Sequence, residues 1–139
     1  MVEINNLTRF VVDKKFFIAL AKKVLKGENE GIDNVSIAFV SPREIQKINK
    51  KYRKKNKPTD VLSFERVVDV KDSFAEIIIC PEVVRKNIKN FNSVIFKKEL
   101  VKVFIHGMLH ALGYDHEISK AEEERMNKKE NFYYSKIFK

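Results

Sequence analysis

Three histidines in the last third of the chain constrain it more than any other feature. They are His106, His110 and His116, the only histidines among 139 residues, and all lie within the segment HGMLHALGYDH. Residues four apart share one face of an α-helix, so His106 and His110 can present two imidazoles to one point. Gly113 suits the left-handed turn that ends a helix, and such a turn lets the chain bring His116 back towards that pair.

This spacing predicts a metal site. A single histidine on an apolar helix is usually a core residue, but a pair four apart that is closed by a third after a turn follows ligand geometry. Three neutral imidazoles without a nearby cysteine favour zinc over nickel, copper or manganese. We predict one zinc ion per chain, with a fourth position open for water. Either Asp115 or Glu117 can orient a ligand ring, and the sequence does not choose between them.

The size and cysteine content predict one domain, residues 1–139, in a reducing compartment. No apolar stretch is long enough for a bilayer, and the first ten residues lack the pattern of a signal peptide, so we expect a cytoplasmic protein without a membrane partner. Cys80 is the only cysteine and follows three isoleucines. This setting predicts a buried thiol and not a nucleophile.

The net charge of +9 makes a polyanionic partner plausible. The charge is densest from Lys47 to Lys57, where seven of eleven residues are Lys or Arg and none is acidic. Such a run is either a solvated face or a surface that neutralises phosphates, and Tyr52 within it can stack on a base.

Four segments read as β-strands because apolar and β-branched residues dominate them. They are Val2–Leu7, Val35–Val40, Val61–Phe64 and Glu76–Cys80. The last is almost continuously apolar, which predicts a central strand covered on both faces. We expect Gly27–Asn34 to be a turn-rich connection and Val67–Ser73 to be hairpin-like.

Helices are predicted where apolar residues recur at helical spacing after capping signals such as Asp13, Ser41 and Ser119. The predicted helices are Lys14–Lys26, Pro42–Tyr52, Pro81–Phe91, Val94–Leu112 and one that follows Ser119 and extends to about Ile137. The fourth is apolar on most sides, so it should be a buried central helix that carries the HxxxH pair. Interleaved strands and helices indicate an α+β or α/β fold with helices packed on a small mixed sheet, whose strand order the sequence does not reveal.

Two segments are specific enough to suggest a family. The first is the histidine segment, and the second is Tyr52-Arg53 followed by KPTDVLSF from Lys57 to Phe64. Together they resemble the signatures of the YbeY endoribonucleases, the metal-dependent rRNA maturation factors of bacteria. Ala75-Glu76 stands where family members commonly carry Gly-Asp, and Ala111 replaces a usual leucine. Neither departure touches a predicted ligand.

The resemblance implies a zincin-like α+β fold, zinc ligation by His106, His110 and His116, and an essential Arg53 that engages RNA. It also implies a role in processing the 3′ end of 16S rRNA and in ribosome quality control, acting on single-stranded RNA with the small ribosomal subunit as the expected partner. In that mechanism a zinc ion assists cleavage of a phosphodiester, and Arg53 clamps a phosphate. Either water or the substrate's 2′-hydroxyl is the nucleophile.

Two other functions compete with this one. A zinc peptidase of the HExxH type needs a glutamate directly after the first histidine, and Gly107 occupies that position. A non-catalytic RNA-binding or ribosome-assembly factor, in which zinc only stabilises the C-terminal turn, agrees equally well with the charge. A structural zinc, however, normally takes a fourth protein ligand.

Overall fold

The four predicted strands form one sheet. In this computed structural model, which describes residues 1–29, 31–32, 34–67, 70 and 73–138, they are β1 (Val2–Asn6), β2 (Val35–Phe39), β3 (Val61–Phe64) and β4 (Ala75–Ile79). Their order is β1-β2-β4-β3, with β3 antiparallel to β4 and the other neighbours parallel. The sheet is therefore mixed, as predicted. Four residues of the predicted connection Val67–Ser73, and two of Gly27–Asn34, lie outside the described residues.

Five helices accompany the sheet in the described part of the chain. They are α1 (Lys14–Glu28), α2 (Pro42–Arg53), α3 (Pro81–Lys86), α4 (Ser93–Ala111) and α5 (Lys120–Ile137). Side chains of Asp13, Ser41, Asn92 and Ser119 accept a backbone N–H in the first turn of α1, α2, α4 and α5. The prediction that α3 extends to Phe91 was wrong. The backbone N–H of Asn87 turns back to the carbonyls of Val83 and Val84, and this tightened turn ends the helix.

The sheet separates two apolar layers. One face of β2 and β4 shares an apolar core with α1, α4 and α5, and its largest buried residues include Phe39 and Ile77. On the other face, Ile45 of α2 packs with Leu62 and the fully buried Cys80. The buried thiol is confirmed. The prediction that β4 is covered on both faces holds only in part, because Glu76 is exposed on the second face.

Helix α4 is the central helix of the fold. It packs against α1, α3 and α5 and against strands β3 and β4. Phe104 and Met108 are fully buried, and burial of each stabilises the fold by about 1.5–3 kcal/mol. The C-terminal part of α4, which carries the histidine pair, is therefore anchored in the core. Across the described residues, no helix has an apolar run long enough to cross a bilayer.

Candidate metal centre

The three histidines meet at the C-terminal end of α4. Their candidate ligand atoms all lie within 4.8 Å of one another. The ring centroids are 4.6 Å apart for His106 and His110, 5.2 Å for His106 and His116, and 4.9 Å for His110 and His116. The structure thus brings together the three residues that the sequence singled out.

A turn immediately after α4 returns His116 to the helical pair. The N–H of Gly113 donates to the carbonyl of His110 at 3.0 Å, and that of Tyr114 donates to Leu109 at 3.0 Å. Gly113 has φ +104°, a conformation that favours glycine. The Asp115 carboxylate then accepts the N–H of Glu117 at 2.9 Å. These bonds close the loop that carries the third ring.

The donor set fits a metal ion. His110 Nε2 and His116 Nδ1 are 2.9 Å apart, near the separation of about 3.4 Å expected for two nitrogens on one tetrahedral zinc. Burial, followed by the proximity of His106 and His116, lowers the pKa of His110 below its ordinary value. A neutral imidazole offers the lone pair that a metal requires. The cluster can therefore hold a metal ion without first losing a proton at this ring.

One carboxylate at the cluster was missed by the sequence reasoning. Glu130 of α5 has its Oε1 3.0 Å from Nδ1 of His106. The two carboxylates that the sequence left open behave differently: Asp115 bonds to the loop backbone, and Glu117 is exposed. The sequence spacing contained a signal for Glu130. It lies four residues after Met126 and three before Tyr133, the buried residues of α5. An acid within such a stripe needs a polar partner.

A second carboxylate fastens the histidine loop to the helices beneath it. Glu28 accepts hydrogen bonds from the hydroxyls of Tyr114, at 2.6 Å, and Tyr133, and its side chain is only 3% exposed. Lys129 lies 3.5 Å from the same carboxylate. Burial alone would raise the pKa of Glu28, but the two hydroxyls and the ammonium of Lys129 outweigh it, so the pKa is lowered.

The histidines open into a cleft of about 840 Å³ that also contains Arg53. The Nη2 group of Arg53 donates to the carbonyl of Ser63 at 2.8 Å, and the guanidinium carbon lies 4.9 Å from the ring centroid of Phe64. Ser63 in turn donates from Oγ to the carbonyl of Gly107 at 2.8 Å. Arg53 and the histidine helix are therefore linked through one residue of β3. A guanidinium has five N–H donors, so this bond leaves others for a phosphate.

Two further cations of the cleft lie in the loop between α2 and β3. The loop begins at Lys54, which is left-handed with φ 58° and caps α2. Asn49 is 3% exposed, and its side-chain amide donates to the carbonyl of Lys57 at 2.9 Å. The N–H of Lys55 returns to the carbonyl of Asn49 at 3.3 Å. Asn49 thus holds the loop so that Lys55 and Lys57 line the cleft.

Carboxylates also line the cleft. They outnumber the three cationic side chains and are Asp60, Glu65, Asp115 and Glu117. With neutral histidines, the lining of the cleft has no excess of positive charge. A divalent ion on the three rings would add two positive charges to this lining and reverse that balance.

Comparison with known proteins places these features in a family. The family model described as Endoribonuclease YbeY matches residues 3–137. A protein of that name from Thermotoga neapolitana is 37% identical over 127 residues, covering 84% of this chain and 83% of the relative. The Thermosipho melanesiensis relative of the same name is 38% identical over 123 residues, covering 88% and 87%. The chain belongs to the YbeY endoribonuclease family.

A solved structure supports the same assignment. The solution structure of a Thermotoga maritima protein has a TM-score of 0.66 and 33% identity, and the match covers 99% of this chain and 89% of that one. The resemblance seen in the two sequence segments is confirmed. The α+β fold with helices packed on a mixed sheet is confirmed as well.

Packing at Gly107 leaves no room in this chain for the glutamate of the peptidase motif. A Cβ at this position would lie 2.9 Å from Cγ2 of Val61 and 3.0 Å from Cγ2 of Ile77. The position faces the sheet, so a side chain at 107 would collide with Val61 of β3 and Ile77 of β4.

Proposed function

We propose that this protein is a zinc-dependent endoribonuclease that cleaves single-stranded RNA, with His106, His110 and His116 holding one zinc ion and Arg53 engaging the RNA. From its family we further propose that the substrate is the 16S rRNA precursor near its 3′ end. The small ribosomal subunit would be the partner and ribosome quality control a second role. The observation that carries the proposal is the single cleft shared by the three rings, Arg53, Lys55 and Lys57.

The chemistry divides between the metal and the cations of the cleft. A zinc ion held by the three imidazoles would supply the Lewis acidity that polarises a phosphoryl oxygen or makes water more acidic. The protein binds and orients the phosphate. The guanidinium of Arg53 can clamp phosphate oxygens and stabilise the charge that develops on them. Its bond to Ser63 and its stacking on Phe64 orient it before the substrate arrives.

The loop cations would follow the RNA backbone away from the reacting phosphate. Lys55 and Lys57 contribute to non-specific affinity by neutralising neighbouring phosphates. Tyr52 is 57% exposed and lies 5.5 Å from Phe64 between ring centroids. We propose that it stacks on a base that is not paired, which is the form of RNA whose bases are accessible.

Cleavage of single-stranded rRNA fragments tests the proposal. We expect His110→Ala to abolish cleavage and Arg53→Ala to reduce it by about 10²–10³-fold. Arg85→Ala is a matched control, because Arg85 also stacks on a phenylalanine, 5.0 Å from the Phe91 ring, but does not line the cleft. Cleavage that survives in His110→Ala or after complete metal removal would contradict the zinc mechanism.

Two additional results separate the remaining alternatives. Binding of RNA without cleavage under every metal condition would favour a non-catalytic assembly factor. A fragment with 2′-deoxy substitution at the cleavage site identifies the nucleophile: it is still cleaved if water attacks, and it is resistant if the neighbouring 2′-hydroxyl attacks.

A further inference from the structure

Glu130 occupies an unexpected position for a carboxylate. On α5 it shares a face with Met126 and Tyr133, which are 0% and 1% exposed. An apolar side chain would continue that stripe and pack on α4. The sequence instead has an acid whose side chain is 28% exposed and whose Oε1 is 3.0 Å from Nδ1 of His106. The ring on the neighbouring helix is thus its polar partner.

The bond has a direct consequence for the ring. A carboxylate accepts the proton on Nδ1, so the neutral tautomer of His106 has its lone pair on Nε2. The same bond restricts rotation of the imidazole about its side-chain bonds. Glu130 itself is not part of the group of residues whose ligand atoms converge within the described chain. Its contact is with one ring of the cluster, at Nδ1 of His106, and it does not converge with all three rings.

We propose that Glu130 is a positioning residue for the metal: it selects the tautomer of His106, aims Nε2 at the ion and increases the ligand's basicity. This inference rests on the proposed function, because it takes His106 to be a metal ligand. Carboxylate partners of this kind typically account for about 10–100-fold in metal affinity. This role of Glu130 also gives α5 a part in the metal centre, although α5 contributes none of the three histidines.

Metal affinity, measured without RNA, tests the inference. We expect Glu130→Ala to weaken zinc binding about 10–100-fold in a chelator competition assay and to alter the visible absorption of the cobalt-substituted protein. Glu130→Gln keeps an oxygen that can accept the Nδ1 proton, so its loss should be smaller than that of the alanine variant. Glu124→Gln removes the same charge from an exposed position of α5 and should bind zinc like the wild type.

Stability of the metal-free protein distinguishes positioning from a merely structural tie between α4 and α5. In excess chelator, Glu130→Gln should unfold at the wild-type temperature while its affinity for zinc is lowered. An unchanged affinity in both Glu130 variants would overturn the inference and leave the proposed function intact. A loss of zinc affinity in Glu130→Gln that only parallels a loss of stability of the metal-free protein would also overturn the inference. If the wild type binds neither zinc nor cobalt, the proposed function itself fails.

Discussion

Glu28 is a buried charge that is stable because three groups satisfy it. Tyr114, Tyr133 and Lys129 surround its carboxylate, and Tyr114 belongs to the loop that carries His116. Hydrogen bonds to a charged group stabilise a protein by about 1.5–3 kcal/mol each, against about 0.5–1.5 for neutral pairs. The charge on Glu28 therefore helps to hold the histidine loop against α1 and α5.

Replacement of Glu28 by glutamine should show the stabilising effect of its charge in the pH dependence of stability. The pKa of Glu28 is lowered in the folded state. Its charge therefore stabilises the fold fully above the unfolded-state pKa of about 4.3, and this stabilisation is lost as the pH falls through the folded-state pKa. We expect Glu28→Gln to lower the free energy of unfolding at pH 7 by about 1–3 kcal/mol. The difference from wild type should shrink at acid pH. Urea unfolding in chelator measures it, with the exposed Glu3→Gln as control.

Gly107 is a position at which α4 lies close against the sheet. A Cβ at this position would lie 2.9 and 3.0 Å from two methyl groups, so there is no room for it. Alanine in a helix is favoured over glycine by about 0.8–1 kcal/mol, whereas overpacking of a core costs about 1–3 kcal/mol. The clash should therefore outweigh the gain in helix propensity.

We expect Gly107→Ala to reduce stability by up to about 2 kcal/mol and to weaken zinc binding as well. The helix must shift away from β3 and β4, and His106 is the adjacent residue. Chemical unfolding and chelator competition measure the two effects. Lys102→Ala, at an exposed position of the same helix, is the control. A variant as stable as wild type would show that the helix can move without cost.

At the scale of elements, the site is assembled by the contact between α4 and β3. Ser63 joins them, because its carbonyl accepts from Arg53 and its hydroxyl donates to the carbonyl of Gly107. The edge position of β3 leaves its outer side open to the loop that follows α2. Arg53 and the helix that carries the histidine pair are thus joined through a single strand.

Asn49 should affect RNA binding without touching the metal. Asn49→Ala removes the amide that holds the carbonyl of Lys57, so the loop that carries Lys55 and Lys57 becomes less ordered. We expect a loss of about 1–3 kcal/mol in stability, a weaker affinity for single-stranded RNA and an unchanged affinity for zinc. Fluorescence anisotropy and chelator competition separate the two affinities. Gln46→Ala, which removes an exposed bond to Asn56 of the same loop, should have a smaller effect.

For the whole molecule, the net charge and the charge of the cleft lead to different predictions for RNA binding. The chain carries +9, yet carboxylates outnumber cations along the cleft. RNA should therefore bind the surface in general without a metal, but bind the cleft tightly only with one.

Removal of the metal should weaken RNA binding in wild type and in the Arg53→Ala variant by different factors. In wild type, chelation removes a dication from the cleft and we expect a loss of about tenfold or more, since close charges at an effective dielectric of 20 interact by several kcal/mol before screening. In Arg53→Ala, in which RNA already engages the cleft less well, chelation should reduce the affinity for RNA by a smaller factor. Titrations at fixed ionic strength measure both. Equal losses would show that metal and arginine act independently.

The sequence by itself determined what depends on residues close together in the chain. Helical spacing placed His106 and His110 on one turn, Gly113 permitted the return of His116, and the capping residues set where most helices begin. The two family segments were enough to indicate the family. Local spacing suffices in these cases because the geometry of a helical turn or a tight turn is nearly constant.

Only the tertiary structure decided which distant residues meet. Glu130 lies 24 residues from His106, and Glu28 lies 86 and 105 residues from its two tyrosines. The strand order that puts β3 at the edge, and so brings Arg53 into the cleft of the histidines, also lay beyond the sequence. Such contacts depend on how whole elements pack, and many packings satisfy the same local pattern of apolar residues. The sequence therefore identified the three histidines that cluster, and the packing of α5 and β3 brought Glu130 and Arg53 to them.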